Sequence, residues 1–382
     1  SGKALGLRML GVIWRRVASR SVRVGGALLA TGFGFHATTK CDALELVQNS
    51  LDQWEWRLKE NDSPQRSEMP DQNEVAASLC EPVLATPVKV LDTPGITITE
   101  YFGNKASKDG TVSFAQATVH RADEAAWQTP RFAEYVIVES GTLELLTVHE
   151  DGAQVTRTQV AAGSGVYLPA GLRVKWTWPE PCSYTVVCLP AFSPLTSGSD
   201  PGVSDTVVDR SSNDALVQLH MSAGASGLSH LPPLVANQHA PGITPLLVEP
   251  VNVVEAPGIT ITEHFGNVAS SDPAVSLGRA VVKGPSQEAW QAPGFDEFVI
   301  CTEGSIDFLY ANGRREKIGA GQGIFLPMKL RVKWIWPEAT NYTVLCLPAF
   351  SPAICGREAE EDATNAKDSA SMRKLEALHQ KA

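Results

Sequence analysis

Alternating apolar and polar positions predict short β-strands over most of this chain. From Arg173 to Trp178 the alternation is strict, which is typical of a strand with one buried face and one exposed face. Similar segments are separated by Gly, Pro and Asn, the residues that favour tight turns. The pattern therefore predicts an all-β fold of many short strands, such as a jelly roll or a barrel.

Helical spacing occurs at a few places outside these strands. Over Asp42–Glu60 it predicts a single helix whose apolar face consists of Leu44, Val47, Leu51, Trp54 and Leu58. A short helix is also predicted near Asp214–Met221. The charged segment Arg357–Ala382 predicts a helical tail, in which the only candidates for an apolar face are Met372, Leu375 and Leu378.

The strand pattern occurs twice in the chain. Thr93–Glu100 returns as Ala256–Glu263, and Phe132–Gly141 returns as Phe295–Gly304, both with a shift of 163 residues. Beyond the glycine the shift falls to 158 residues, which places a five-residue difference in the hairpin that follows. A repeat this long indicates two domains and not a solenoid.

The duplication divides the chain into segments with different predicted structures. We expect one domain at residues 86–195 and a second at 241–354, joined by a linker at 196–240 that is rich in Ser, Gly, Pro and Asp. The flanking segments are a leader (1–40), a helix followed by a disordered polar segment (41–85) and a charged helical tail (355–382). The predicted fold class is thus two tandem all-β domains with short N- and C-terminal helices.

Charge is unevenly distributed along the chain. The formal net charge is −10, yet residues 1–40 hold seven Lys and Arg and no acidic residue. A basic, acid-free segment with a possible amphipathic helix is typical of a mitochondrial presequence, which favours a mitochondrial location. The alternatives are a surface- or partner-binding helix, and a location in another organelle or the cytoplasm. The apolar run Val24–Phe35 is too short for a membrane span, so no transmembrane segment is expected.

The rest of the chain excludes several classes of function. Its acidic balance offers no basic patch for nucleic acid, so no nucleic-acid partner is expected. The seven cysteines are scattered without a CxxC pair, and Cys188 and Cys346 occupy equivalent positions inside apolar strands. These positions indicate buried thiols in a reducing compartment. No phosphate-binding loop and no Ser/His/Asp arrangement is present.

Two repeated motifs resemble the cupin superfamily. Its first motif, a glutamate followed after six residues by a glycine, is matched at Glu134–Gly141 and at Glu297–Gly304. Its second motif is matched fully by Gly163, Pro169 and Gly171, and in the second repeat by Gly321 and Pro327, with Lys329 in place of the last glycine. The resemblance covers about 200 residues and implies two cupin jelly-roll barrels, a bicupin. A tryptophan before the glutamate and a Trp-ending strand after the turn are most similar to the branch with ureidoglycine aminohydrolase and ethanolamine-utilisation cupins.

The chain departs from the metal-binding members of this superfamily. Where they carry a His-x-His pair, this chain has Trp127 and Thr129 in one repeat and Trp290 and Ala292 in the other. Where they carry a third histidine, it has valine, at positions 174 and 332. None of the eight histidines is expected to recur between the repeats. A lone carboxylate gives little affinity for a transition metal, so we expect no metal and no cofactor.

The interiors of the two barrels provide the candidate site residues. Strand alternation places Trp176 and Trp178 inside with Glu134, and it places Trp334 and Trp336 inside with Glu297. Such interiors suit a small polar or cationic ligand, held by one carboxylate and by cation–π contact. The alternative is that the tryptophans fill the core and the glutamates hydrogen-bond to strand ends or indoles.

The first barrel is predicted to hold the larger and more polar cavity. Its Tyr167 offers a hydroxyl to a ligand and its Gly171 leaves the turn open, whereas the second barrel has Phe325 and Lys329 at these positions. Tyr167 is therefore a candidate ligand-binding residue together with Glu134.

These observations lead to one function and one alternative from another class. The first is a metal-free bicupin that acts as a small-ligand-binding or assembly module, with a protein partner recruited through the terminal helices in an organelle complex. The alternative is a metal-independent enzyme, related to aminohydrolase or ethanolamine chemistry, with Glu134 or Glu297 as its catalytic acid or base. Sugar binding is a third hypothesis, supported by the aromatic interiors alone.

Overall fold

The computed structural model describes residues 44–48, 54–58, 81–148, 155–200, 216–220, 243–359 and 369–381. The leader predicted at residues 1–40 and the polar segment at Asn61–Asn73 lie outside the described residues, so both stay predictions.

The first described elements correct the prediction of a helix over Asp42–Glu60. Two strands, β1 (Leu44–Gln48) and β2 (Trp54–Leu58), pair there as an antiparallel hairpin. Apolar residues in these short runs also alternate with a period of two, and a run this short fits a strand as well as a helix. Aromatic residues favour the strand.

The first repeat forms two antiparallel sheets, preceded by a two-residue strand, β3 (Val83–Leu84). Its ten strands are β4 (Val88–Asp92), β5 (Ile96–Phe102), β6 (Ser113–Val119), β7 (Asp123–Glu124), β8 (Ala133–Ser140), β9 (Thr142–Val148), β10 (Val155–Ala161), β11 (Gly165–Leu168), β12 (Val174–Trp178) and β13 (Cys182–Leu189). The smaller sheet has the order β10-β9-β12-β7, and the larger sheet has the order β11-β8-β13-β6-β5-β4. A single turn of helix, α1 (216–220), follows in the linker, where the sequence predicts one.

The second repeat has the same order of strands. After β14 (Leu246–Val248), its ten strands are β15 (Val251–Glu255), β16 (Ile259–Phe265), β17 (Ser276–Val282), β18 (Ser286–Gln287), β19 (Asp296–Glu303), β20 (Ser305–Tyr310), β21 (Arg315–Gly319), β22 (Gln322–Leu326), β23 (Val332–Trp336) and β24 (Thr340–Leu347). The smaller sheet runs β18-β23-β20-β21 and the larger runs β15-β16-β17-β24-β19-β22. The predicted helical tail is present as α2 (Ser369–His379).

The prediction of a duplicated all-β jelly roll is confirmed. The prediction that each unit is a barrel needs correction. In each repeat the described sheets pack face to face without joining into a closed barrel. We call these double-sheet units the first and second jelly roll.

The two jelly rolls exchange one strand each. β3 precedes the first repeat but pairs with β22 of the second, and β14 precedes the second repeat but pairs with β11 of the first. Each larger sheet therefore has seven strands, one of them donated by the other repeat. This exchange makes backbone hydrogen bonds between the two units, which restricts their relative movement.

The larger sheets also pack against each other through their outer faces. Along β8, Val136 and Val138 belong to the core of the first jelly roll, while Tyr135 and Ile137 belong to an apolar cluster shared by both. Phe102 contacts Phe298, and the equivalent pair, Phe265 and Tyr135, makes the same contact; both ring pairs lie 5.2 Å apart. These reciprocal contacts give the pair of units an approximate twofold symmetry.

The departure from the second motif at Lys329 is accommodated by an unusual backbone conformation. Lys329 has a φ of 64°, close to the 80° of its equivalent, Gly171. Their N–H groups make the same bond, to the carbonyl of Pro293 at 2.6 Å and of Pro130 at 2.7 Å. The lysine side chain is exposed and does not line the interior, so the expectation that it narrows the second cavity is wrong.

Lys329→Gly is expected to raise the free energy of unfolding by about 1 kcal/mol. A left-handed conformation costs an L-residue about 1–2 kcal/mol, and the extra unfolded-state freedom of glycine offsets part of that gain. Urea unfolding of the two proteins measures the difference. In the reverse variant, Gly171→Lys, the added Cβ meets nothing within 4 Å, so we expect a loss of similar size from backbone strain alone. Equal stability of Lys329→Gly and the parent chain would contradict this account.

Candidate functional site

The two tryptophan pairs lie inside their jelly rolls, as strand alternation predicts. Trp176 and Trp178 on β12 belong to the first core, and Trp334 and Trp336 on β23 belong to the second. In each core the first tryptophan of the pair lies 5.6 Å from a tyrosine of the last strand, Tyr184 or Tyr342. The indole Nε1 atoms of all four tryptophans are buried without a hydrogen-bond partner among the described residues.

Glu134 is buried in the first core without a counter-charge. It is 7% exposed, and its Oε2 atom has no hydrogen-bond partner among the described residues. Burial raises the pKa of this carboxyl to about 8, because an ionised carboxylate loses its hydration there. The carboxyl is therefore mostly protonated at neutral pH. The alternative in which the glutamate hydrogen-bonds to the indoles is wrong for Glu134 Oε2. Neither this oxygen nor the Nε1 atom of Trp176 or Trp178 has a hydrogen-bond partner among the described residues.

Tyr167 does not line the first interior, which corrects the prediction made for it. On β11, Val166 and Leu168 point into the core, whereas Tyr167 lies on the other face of the sheet. Its ring packs 4.8 Å from Tyr135, whose hydroxyl donates to Asp272 Oδ2 at 2.9 Å. Neighbouring residues on a strand alternate between faces, so a turn motif that places Leu168 inside places Tyr167 outside.

A cavity of about 100 Å³ opens in the second jelly roll. Its aromatic lining residues are Phe295, Trp334, Tyr342 and Phe350, and its polar ones are Glu263, Ser276, Glu288, Gln291, Glu297 and Cys346. A 150 Å³ apolar cavity holds benzene, so this space suits a ligand of roughly four or five heavy atoms. Of the residues predicted for the second interior, Glu297 and Trp334 line the cavity.

Two further charged residues belong to this site and were missed in the sequence. Glu288 directly follows β18 and is 4% exposed, and Arg357 Nη1 donates to its Oε2 atom at 2.9 Å. The corresponding residues of the first repeat, by the shifts given above, are Ala125 and Ser199. An acid and a base that appear together in only one repeat are the signal that could have revealed this pair.

Glu263 also lines the cavity, but it has a structural task. Its Oε1 atom accepts hydrogen bonds from the backbone N–H groups of Val268 and Ala269, both at 2.8 Å. Burial raises the pKa of Glu263, and these bonds act against that rise. Gly266, at a φ of 147°, lies against the carboxylate, where an added Cβ would be 2.6 Å from Cδ. Glu100 holds the equivalent loop of the first repeat in the same way.

Trp127 and Trp290 occupy equivalent positions in the two repeats, and both lie against an arginine. Arg173 lies 5.4 Å from the Trp127 ring centroid, and Arg331 lies 4.1 Å from that of Trp290. Each arginine also makes two hydrogen bonds to an acid of the segment that follows its jelly roll, Asp200 or Glu358. The arginines therefore join that segment to the smaller sheet, and each tryptophan ring packs against its arginine.

The cavity is bounded on one side by α2. Leu375 lines the cavity, and the His379 ring packs 5.6 Å from Phe350. In the first jelly roll, His220 of α1 packs 5.7 Å from Phe192 in the equivalent place. The expectation that no histidine recurs between the repeats is therefore wrong. The recurrence lay in the linker and tail, beyond the segments that the strand motifs had aligned.

The residues that the structure describes contain neither a metal-binding cluster nor a membrane-spanning helix. Within these ranges no group of three or more His, Cys, Asp or Glu residues is arranged to hold a metal ion. Neither helix that the structure describes is long and apolar enough to cross a membrane.

Comparison with known proteins gives short or distant likenesses. No protein-family model matches the chain. It is 33% identical over 103 residues to the endoribonuclease YbeY of Myxococcus xanthus, a match that covers 26% of this chain and 35% of that protein. The chain thus spans about a third of the length of this curated relative.

Among solved structures, the chain is similar to oxalate decarboxylases. A variant of the Bacillus subtilis enzyme superimposes with a TM-score of 0.49 at 12% identity, over 76% of this chain and 87% of that chain. The Lactobacillus farciminis enzyme in complex with formate gives a TM-score of 0.48 at 13% identity, over 72% and 88%. Likenesses at this level carry no conclusion about function, which must come from the site.

Proposed function

We propose that this protein is a metal-independent, cupin-like binding module whose second jelly roll takes a small organic ammonium ion. The observation that carries the proposal is the charge of the cavity. Three carboxylates line it, those of Glu263, Glu288 and Glu297, while no Lys, Arg or His does so among the described residues. One of the three is balanced by Arg357, so the walls hold more acid than base.

The three carboxylates have different tasks. Glu263 is engaged by two backbone N–H groups, and Glu288 is engaged by Arg357. Glu297 is buried deep in the same cavity, on the strand that carries the first cupin motif. An ammonium ion in the cavity would lie within reach of this carboxyl group and would form a charge-assisted contact with it.

The aromatic walls fit the same ligand. Trp334 and Tyr342 lie 5.6 Å apart and both line the cavity, so their ring faces can attract a cation. The apolar lining, which includes Val253 and Val344, suits a short carbon chain attached to the ammonium group. The volume limits that ligand to a few heavy atoms.

Calorimetric titration with methylammonium and ethylammonium tests the proposal. We expect binding to the parent chain, and at least a tenfold weaker affinity for Glu297→Gln, because a charge-assisted contact is worth about 1.5–3 kcal/mol. Glu134→Gln, the equivalent change in the first jelly roll, is the matched control and should bind as the parent does. Acetate, an anion of similar size, should not bind. Equal affinities for acetate and ethylammonium would overturn the proposal.

The enzyme alternative has one observation in its favour. Glu288 and Glu297 line the same cavity, and their charges are among the causes that raise the pKa of Tyr342, after its burial. Two carboxyl groups in one site can act as acid and base. Proton NMR of the amine after long incubation with the protein distinguishes the binding module from the enzyme. Unchanged resonances favour the binding module, and product resonances favour the enzyme.

An assembly role through the terminal helices has less support. The apolar side of α2, formed by Met372, Leu375 and Leu378, packs against the second jelly roll of its own chain. The predicted N-terminal helix is replaced by the β1–β2 hairpin.

A further inference from the structure

The second cavity is completed by an element outside its sheets. Leu375 of α2 is 2% exposed, belongs to the second core and lines the cavity together with strand residues such as Val253 and Val344. The chain reaches this position only after both sheets are complete. One wall of the cavity is therefore supplied by the helical tail.

Specific contacts hold α2 in this position. Ser371 Oγ donates to the carbonyl oxygen of Glu255 at 2.8 Å, and Lys374 Nζ donates to the Glu255 carboxylate at 2.7 Å. Met372 and Leu378 are partly buried against the second core. Two hydrogen bonds join the helix to β15, and three of its apolar side chains pack against the second core. Leu375 is therefore held at a defined place in the wall.

The same device occurs in the first repeat. Helix α1 carries Leu216 and His220, and α2 carries Leu375 and His379, with the same shift of 159 residues for both pairs. In each helix the histidine Nδ1 lies 2.9 Å from the carbonyl of the leucine four residues before it. A helix with this leucine–histidine pair, whose histidine packs against a phenylalanine of its repeat, is thus part of the duplicated unit.

We propose that Leu375 sets the length of the ligand that the second cavity takes, an inference that rests on the proposed ammonium ligand. With the ammonium group beside Glu297, the carbon chain has to extend among the apolar walls. Most of these walls belong to hydrogen-bonded strands, whereas Leu375 projects from the added helix. Replacing leucine by alanine removes about three carbon atoms of side chain and leaves space that the surroundings fill only in part.

A series of alkylammonium ions from methyl to nonyl, titrated calorimetrically, tests this. For the parent chain, the affinity is expected to increase about fourfold with each added carbon until the cavity is full, and then to fall. Leu375→Ala should move that limit to a longer chain by about three carbons. Leu375→Phe should move it to a shorter one, which keeps the test decisive if the alanine variant does not fold.

The matched control is Leu378→Ala on the same helix. Leu378 packs against the second core without lining the cavity, so its loss weakens the docking of α2 but should leave the length limit unchanged. The role of Leu375 is overturned if the parent chain binds the series and both Leu375→Ala and Leu375→Phe prefer the same chain length as the parent. The proposed ammonium site would still stand in that case. If the parent binds no member of the series, the proposed function fails and this inference fails with it.

Discussion

Glu134→Gln is expected to stabilise the protein, and the gain should grow as the pH rises from about 4.5 to about 8. The direction of this change of stability with pH depends on whether the folded or the unfolded state holds the proton. The pKa of Glu134 is 4.5 for an exposed carboxyl and about 8 in the folded protein, so between these values the folded state holds a proton that the unfolded state has released. Stability contributed by the protonated form is complete below pH 4.5 and is lost as the pH rises through 8.

The size of the effect follows from the size of the shift. Each pKa unit corresponds to about 1.4 kcal/mol, so the full loss above pH 8 is about 5 kcal/mol in order of magnitude. Glutamine has nearly the same shape and carries no charge at any pH, and it avoids this loss. Urea unfolding of both proteins from pH 4 to pH 8.5 measures the difference in free energy. Glu376→Gln, at an exposed position of α2, is the control for the same change of side chain outside the core.

A loss of stability in Glu134→Gln would change the role assigned to this carboxyl group. If Glu134→Gln destabilises the protein at pH 8, the carboxylate is ionised in the folded state and stabilised by a group that binds it. The buried position would then be a binding site and not a core position. The expected result instead assigns Glu134 to the packing of the first jelly roll and leaves the candidate site in the second.

Local pattern was enough to predict most of the fold. The strict alternation of Arg173–Trp178 predicts β12 with its tryptophans inside, because one buried face imposes a period of two. Repetition of the glutamate motif predicts two units of the same kind. The prediction of a helix over Asp42–Glu60 was wrong because short apolar runs fit the period of a helix and that of a strand equally well. No local feature of the sequence decides between these two periods.

The site could be predicted only in part, since it depends on contacts between distant residues. Glu297 and Trp334 were found from their place in the repeated motifs. Arg357, which pairs with the lining residue Glu288, and Leu375, which lines the cavity, both come from segments after the last strand. No strand pattern there indicates which way the chain turns. Without them, the prediction of which interior holds the larger cavity rested on Tyr167 and Lys329, and neither lines the cavity of the second jelly roll.

Arg357→Ser is expected to lower the free energy of unfolding by about 3 kcal/mol at neutral pH. The pair that Arg357 forms with Glu288 is largely withdrawn from water, with side-chain exposures of 17% and 5%. Removing one member of a buried ion pair costs about 3–5 kcal/mol, because the remaining charge loses its counter-charge in a medium of low polarity. Partial exposure of the arginine places this variant at the lower end of that range.

The first repeat supplies the control for this prediction, because it folds with Ala125 and Ser199 at the two equivalent positions. The double variant Glu288→Ala, Arg357→Ser copies that arrangement, so it should recover most of the stability that Arg357→Ser loses. A double-mutant cycle from urea unfolding gives the coupling energy, for which we expect about 2 kcal/mol. Additive losses, with the double variant less stable than either single one, would show that the pair does not act as a unit. Recovery of stability in the double variant, combined with weaker ethylammonium binding, would mean that the second jelly roll keeps this pair for its ligand and not for its fold.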